Sequence, residues 1–309
     1  MQQSLVQRIL IILALLAASL VSPGARACSV CGCDPTGGTL GLDRPNQSDL
    51  RVILENRYLQ KESGTEQASE GEREDRFDLR FQYSPPIADL SFQVEVPVYA
   101  WKTHLGSTSA IDDTSRGLSD AAVGARYEVL KLGGLVPRHV LSVTFSLKLP
   151  TGDNTHRATV DQGSYDEHKQ VGTGTFDELF GAWYTFGDFP TIVYAGVTAR
   201  INGTNSRGNH YGNALFGTLG VRRSFLEDKH LFFALDAQVR NAGKDTTPGG
   251  AYDGDSGGAI GYATGSAGYA ITNDLLVRAI IQVPVVKALN GAQGEHPVGF
   301  LSFAYDFTL

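Results

Sequence analysis

From Asp49 to Leu309 the chain repeats one pattern, in which short runs alternate apolar and polar residues and the connections are by turns short and long. Period-two alternation places one face of a strand in an apolar medium and the other in a polar one. Leu50–Tyr58, Phe77–Tyr83 and Leu90–Tyr99 open the series. The remaining strands are expected at about 118–131, 138–149, 173–187, 189–203, 213–226, 229–242, 258–271, 274–286 and 297–308, twelve in all. Pro97 interrupts its run and cannot donate to a ladder, so a bulge is expected there.

Short links fall around Pro85, Gly133–Pro137, Gly187–Phe189, Glu227–Lys229 and Thr272-Asn273. Long ones fall at 62–72, 103–117, 150–172, 204–212, 243–257 and 287–296. A soluble sandwich would not be expected to sort its loops this way. The pattern predicts an all-β chain, a transmembrane antiparallel β-barrel of about twelve strands with short periplasmic turns and long extracellular loops. Closing the sheet leaves no backbone edge facing lipid. An even strand number places both termini in the periplasm.

The N-terminus supports export. Arg8 precedes an apolar run, Ile9 to Val21, that ends in the small-residue stretch Ala25-Arg26-Ala27. This is a signal-peptide pattern over residues 1–27, and the apolar run is shorter than the roughly 20 residues of a spanning helix. Residues 28–48 form a Cys-containing segment and linker, and 49–309 the barrel. Removing Arg8 and Arg26 with the signal takes the formal charge from −7 to about −9, which argues against nucleic acid. The expected setting is the bacterial outer membrane, with the bilayer, lipopolysaccharide, the barrel-assembly machinery and a small solute as partners.

Strand parity separates the two faces. Val193, Ala195, Val197, Ala199 and Ile201 are assigned to lipid, with Tyr194, Thr198 and Arg200 inside. Leu141, Val143, Phe145, Leu147 and Leu149 likewise oppose Ser142, Thr144, Ser146 and Lys148. The lumen then gains the bases Arg51, Arg57, Arg80, Arg126, Lys148, Arg200, Arg240 and Arg278. It also gains the acids Glu55, Asp78, Glu95, Glu128, Asp177, Asp236 and Asp306. The signs nearly balance, whereas a strongly selective pore would show a ring of one sign. Two readings follow: pairs that stiffen a narrow barrel, or a charged constriction for a polar or amphiphilic solute. Arg126, Arg200 and Arg278 are expected to set selectivity in the second.

Cys28, Cys31 and Cys33 form a C-x2-C-x-C cluster that barrel physics does not require. Three soft donors suit Cu or Zn, so a periplasmic metal or redox module on a barrel scaffold is the alternative to a pore. A disulfide with one thiol left over, or a lipid on Cys28, are the competing roles. Under the module reading Cys31→Ser abolishes metal binding while the barrel still assembles. Loop acids at Asp153, Asp161, Asp166, Glu167, Asp245, Asp253 and Asp255, with His156 and His168, offer oxygens for a divalent ion or simply a solvated surface. No histidine falls at mid-strand beside a serine, and no catalytic residues are assigned: the chain is expected not to be an enzyme.

Three stretches resemble the MetA-pathway of phenol degradation family of outer-membrane transporters. They are Leu118-Ser119-Asp120 running into Gly124-Ala125-Arg126-Tyr127, then Leu147-Lys148-Leu149-Pro150-Thr151-Gly152-Asp153 with Val171-Gly172-Thr173-Gly174-Thr175-Phe176-Asp177, and finally Gln282-Val283-Pro284-Val285 with Asn290-Gly291. The resemblance spans nearly the whole mature chain and implies a porin-like channel for small hydrophobic or aromatic compounds. The chain departs from many barrels in finishing on Leu309, although Phe303, Tyr305 and Phe307 keep the aromatic alternation.

Overall fold

The structure is a computed structural model describing residues 45–65, 68–86, 89–106, 113–133, 137–157, 167–225 and 231–309. The expected signal, Cys28, Cys31, Cys33 and most of the linker lie outside the described residues.

Successive strands pair antiparallel. They are β1 (Asp49–Thr65), β2 (Ala68–Tyr83), β3 (Leu90–Gly106), β4 (Asp113–Gly117), β5 (Ala122–Leu132), β6 (His139–Lys148) and β7 (Asp177–Asp188). Then come β8 (Thr191–Asn202), β9 (Ala214–Phe225), β10 (Leu231–Ala242), β11 (Gly258–Ala270), β12 (Leu275–Leu289), β13 (Gln293–Glu295) and β14 (Val298–Thr308). β1 pairs with β2 on one side and β14 on the other, so the sheet closes on itself. The result is a closed 12-strand barrel with 2 extra strands. β4 continues the stave of β5 upward along β3, and β13 continues that of β14 along β1. The β1–β14 seam runs from Asp49↔Thr308 to Tyr58↔Gly299.

The usual order of a folded protein is inverted. Asp78, Arg80, Gln82, Ser142, Asp177 and Gln282 are buried, while Val143, Phe145, Ile201, Leu219, Val239 and Ile281 are exposed around the outside. An apolar surface this continuous suits lipid, not water. Aromatic rings edge it at the short-turn end, where Phe225 meets Phe233 at 5.6 Å between centroids and Tyr305 meets Phe307 at 4.6 Å. Leu235, 68% exposed near the middle of β10, tests the assignment. Leu235→Arg is expected to cost about 2–4 kcal/mol in urea titrations of the lipid-refolded barrel; an unchanged midpoint would remove β10 from the lipid wall.

The bulge expected at Pro97 is present: Phe77 pairs with Tyr99 and Asp78 with Pro97, leaving Val98 as the extra residue. The same rule holds at Pro284, where Val285 is extra. Each proline sits beside a bulge, where its missing N–H costs least.

The expected long connections need correction. Residues 62–72 are largely a continuation of the β1–β2 ladder, 103–117 includes the end of β3 and all of β4, and 287–296 contains β13. Beyond the lipid both strand faces meet water, so apolar alternation ends while the backbone ladder continues. The strand expected from 118 begins at Ala122, because Leu118–Ala121 leaves the ladder; the one expected from 173 begins at Asp177.

Candidate functional site: the barrel lumen

Strands β1, β2, β3 and β5 carry a charged wall. Arg80 donates from Nη2 to Glu55 Oε1 at 2.8 Å and from Nε to Glu95 Oε2 at 2.9 Å. Arg57 donates to Glu74 at 2.5 Å, Arg76 to Asp78 at 3.0 Å, and Arg126 to Glu128 at 3.4 Å. Arg51 holds Asp306 across the seam with two bonds, at 2.6 and 2.7 Å. Each of these buried charges finds a partner, one strand away for Arg51, Arg57 and Arg80 and two residues along the same strand for Arg76 and Arg126, which is the condition for burying charge at all.

A second cluster gathers the motif segments. Asp120 turns inward from the break between β4 and β5. Its carboxylate accepts from the Gly152 amide at 2.9 Å, the Thr173 amide at 2.8 Å, the Thr173 hydroxyl at 2.6 Å and Lys148 Nζ at 3.0 Å. Lys148 also meets Asp177 at 2.8 Å, and Asp177 takes Arg200 at 3.2 Å. Ser119 Oγ donates to the Val171 carbonyl at 2.6 Å. Gly152 and Gly172 pack backbone to backbone: a Cβ on Gly152 would stand 2.8 Å from Gly172 Cα. The L-S-D, L-K-L-P-T-G-D and V-G-T-G-T-F-D stretches are therefore three sides of one clasp, which pins the β6–β7 connection to the rim.

The opposite wall, β7 to β12 with β14, is aromatic and weakly polar. Trp183, Tyr194, Phe216, Tyr262 and Phe300 line a cavity together with Asp236, Gln238, Arg240, Arg278 and Gln282. Glycines lay some of these rings flat. Gly196 opposes Trp183 and Gly220 opposes Tyr194, and a Cβ on either glycine would strike the ring at 2.4 or 2.5 Å. Gln282 donates to Gln238 at 2.7 Å and Gln238 to Asp236 at 3.1 Å. Glu295, on β13 above this wall, accepts from Arg240 and from the Tyr262 hydroxyl. Burial alone would raise the Glu295 pKa, yet Arg240 and Lys61 hold it below the usual carboxylate range.

The residues assigned to the lumen by parity differ in their situations. Arg51, Arg57, Arg80, Arg126, Lys148, Arg200 and Arg240 are all in ion pairs, with Arg200 committed to Asp177 and to Asn202 at 2.6 Å. Among the described residues Arg278 makes no hydrogen bond or ion pair, and its Nε is buried without a partner. Sequence reasoning missed Arg76 and Glu74 in the charged wall, Asp120 in the clasp, and Trp183, Phe216, Tyr262 and Phe300. Inward parity marks the rings; their glycine partners emerge only once the register is known.

Of the loop acids, Asp161 and Asp166 lie outside the described residues, and others are taken up locally. Glu167 accepts from Arg207 at 2.5 Å, Asn205 at 2.9 Å and Asn209 at 2.8 Å, and His156 meets Asp113 at 3.0 Å. The Thr155 hydroxyl and amide hold the Asp153 carboxyl below its usual pKa. Among the described residues no group of three or more His, Cys, Asp or Glu is placed to hold a metal ion.

A closed barrel with a polar lumen and an apolar belt belongs to the class of outer-membrane β-barrels. Among solved structures, the COG4313 outer membrane channel from Pseudomonas putida F1 is similar with a TM-score of 0.67 at 14% identity, over 89% of this chain and 99% of that one. The transport unit of the autotransporter AIDA-I from Escherichia coli gives a TM-score of 0.50 at 11% identity, over 91% and 95%. At such identities the likeness speaks for the fold. No protein-family model matches the chain, and no curated protein matches it.

Proposed function

We propose that this chain is an exported, porin-like channel of the outer membrane, with both termini in the periplasm, that passes small amphipathic solutes, aromatic ones among them. The observation that carries this reading is the two-walled lumen: paired charges on β1 to β5, and rings with one unpaired arginine on β7 to β12. A solute with an apolar face and a polar head finds a matching surface on each side. The channel structure from Pseudomonas putida, similar along nearly all of its length, supports a pore on this scaffold.

Single-channel recording of the refolded mature protein in planar bilayers tests the proposal. Steady unitary conductance is expected with and without residues 28–48. A folded barrel that passes no ions in either form would refute it. Conductance only after removal of 28–48 would make that segment a plug and bring the cysteine module forward.

A further inference from the structure

Within the lumen, Arg278 and Asp236 line the same cavity and feel each other's charge, but among the described residues no direct ion pair joins them. Among the described residues Arg278 has no hydrogen-bond partner, whereas a guanidinium presents five donors in a fork suited to a carboxylate. Asp236 accepts from Gln238 at 3.1 Å and from the Tyr194 hydroxyl, and a carboxylate has room for more. Two opposite charges that share a cavity and do not touch offer complementary ends to a ligand that carries both. To one side of them, on β7 and β8, the wall is aromatic, with the Trp183 and Tyr194 rings held flat by Gly196 and Gly220. Thr264 Oγ1, on the lining strand β11 and buried, also lacks a partner and supplies a further donor.

We infer that this cavity is a binding subsite for a zwitterionic aromatic solute of the α-amino-acid type. Its carboxylate lies on Arg278, its ammonium on Asp236, and its ring against the aromatic wall. Flat rings contribute stacking area and also attract a cation over their faces. A neutral aromatic would leave both charges unanswered, and a simple anion would meet Asp236 as well as Arg278. The inference rests on the lumen being reachable by solute, as the channel reading requires.

The chain has two tryptophans, Trp183 in the cavity and Trp101 on the outer face, so Trp101→Phe leaves one fluorescent reporter at the site. Titrations of this variant, refolded in detergent, would use L-phenylalanine, 3-phenylpropanoate, which lacks the ammonium, and 2-phenylethylamine, which lacks the carboxylate. None of the three absorbs where tryptophan is selectively excited. Saturable change with phenylalanine is expected, with each truncated probe weaker by about tenfold or more, the scale of one lost charge-assisted contact. Arg278→Gln is expected to abolish the preference over 2-phenylethylamine, and Asp236→Asn the preference over 3-phenylpropanoate. Equal affinity for the three probes, no saturable change with any, or preferences that survive both substitutions would overturn the subsite. The probe comparison needs neither charge variant to fold. Conductance of the same preparation separates the two readings: an open pore without phenylalanine binding overturns the subsite alone, and binding in a barrel that passes no ions overturns the channel alone.

Discussion

Asp120→Ala is expected to destabilise the folded barrel by about 3–5 kcal/mol, the cost of leaving a buried partner charge unanswered. The carboxylate accepts from two backbone amides, a hydroxyl and Lys148 Nζ, so its loss takes an acceptor from four donors at once. Lys148 keeps Asp177, but Asp177 must already answer Arg200. Urea titration of the refolded protein, read by the gel shift between folded and unfolded barrels, measures the effect. Gly152→Ala is expected to act in the same direction from the β6–β7 connection, because its Cβ would stand 2.8 Å from Gly172 Cα, with backbone on both sides and no flexible side chain to yield. Wild-type stability in both variants would mean that the clasp does not fasten the rim.

Arg80→Met is the second large effect, and it changes charge as well as stability. Arg80 is buried between Glu55 at 2.8 Å and Glu95 at 2.9 Å, with Arg76 at 3.9 Å from Glu95 as the nearest substitute. Removing the guanidinium leaves two carboxylates facing each other across β2. A loss of about 3–5 kcal/mol is expected, along with a reversal potential shifted toward cations, since the charged wall gains net negative charge. Unchanged reversal potential in a folded variant would place this wall outside the ion path. Replacing Arg80, Glu55 and Glu95 together by apolar residues of similar volume should be far milder than the single change, because no charge is then left without its partner.

The fold was legible where lipid enforces it. Parity placed Val193 and Ile201 outward and Tyr194 and Arg200 inward because a charge on the outer face is expensive there. That constraint stops at the membrane boundary. From Glu70 to Asp75 both faces of β2 are polar, so the ladder through Lys61↔Glu72 and Gln60↔Arg73 left no periodic trace. The clasp was hidden for a different reason. Its three segments were visible as motifs, but nothing in their spacing says that Asp120 reaches amides 32 and 53 residues away. The state of each lumen charge was likewise out of reach: parity brings Arg200 and Arg278 inside alike, and only the register shows one bound to Asp177 and the other unpaired.

The seam between β1 and β14 also bears on how such a barrel comes to exist. It joins Asp49 to Thr308, the widest separation in the sheet, while nearly every other ladder joins neighbours in sequence. Hairpins can zip locally, but the ring cannot shut until the last strand has arrived to meet the first. Up to that moment both outer strands carry unmet N–H and C=O groups that lipid cannot satisfy. Closure is thus a single late event with an all-or-none penalty. A chain stalled before β14 should persist as an open, sticky sheet and not as a slightly weakened pore.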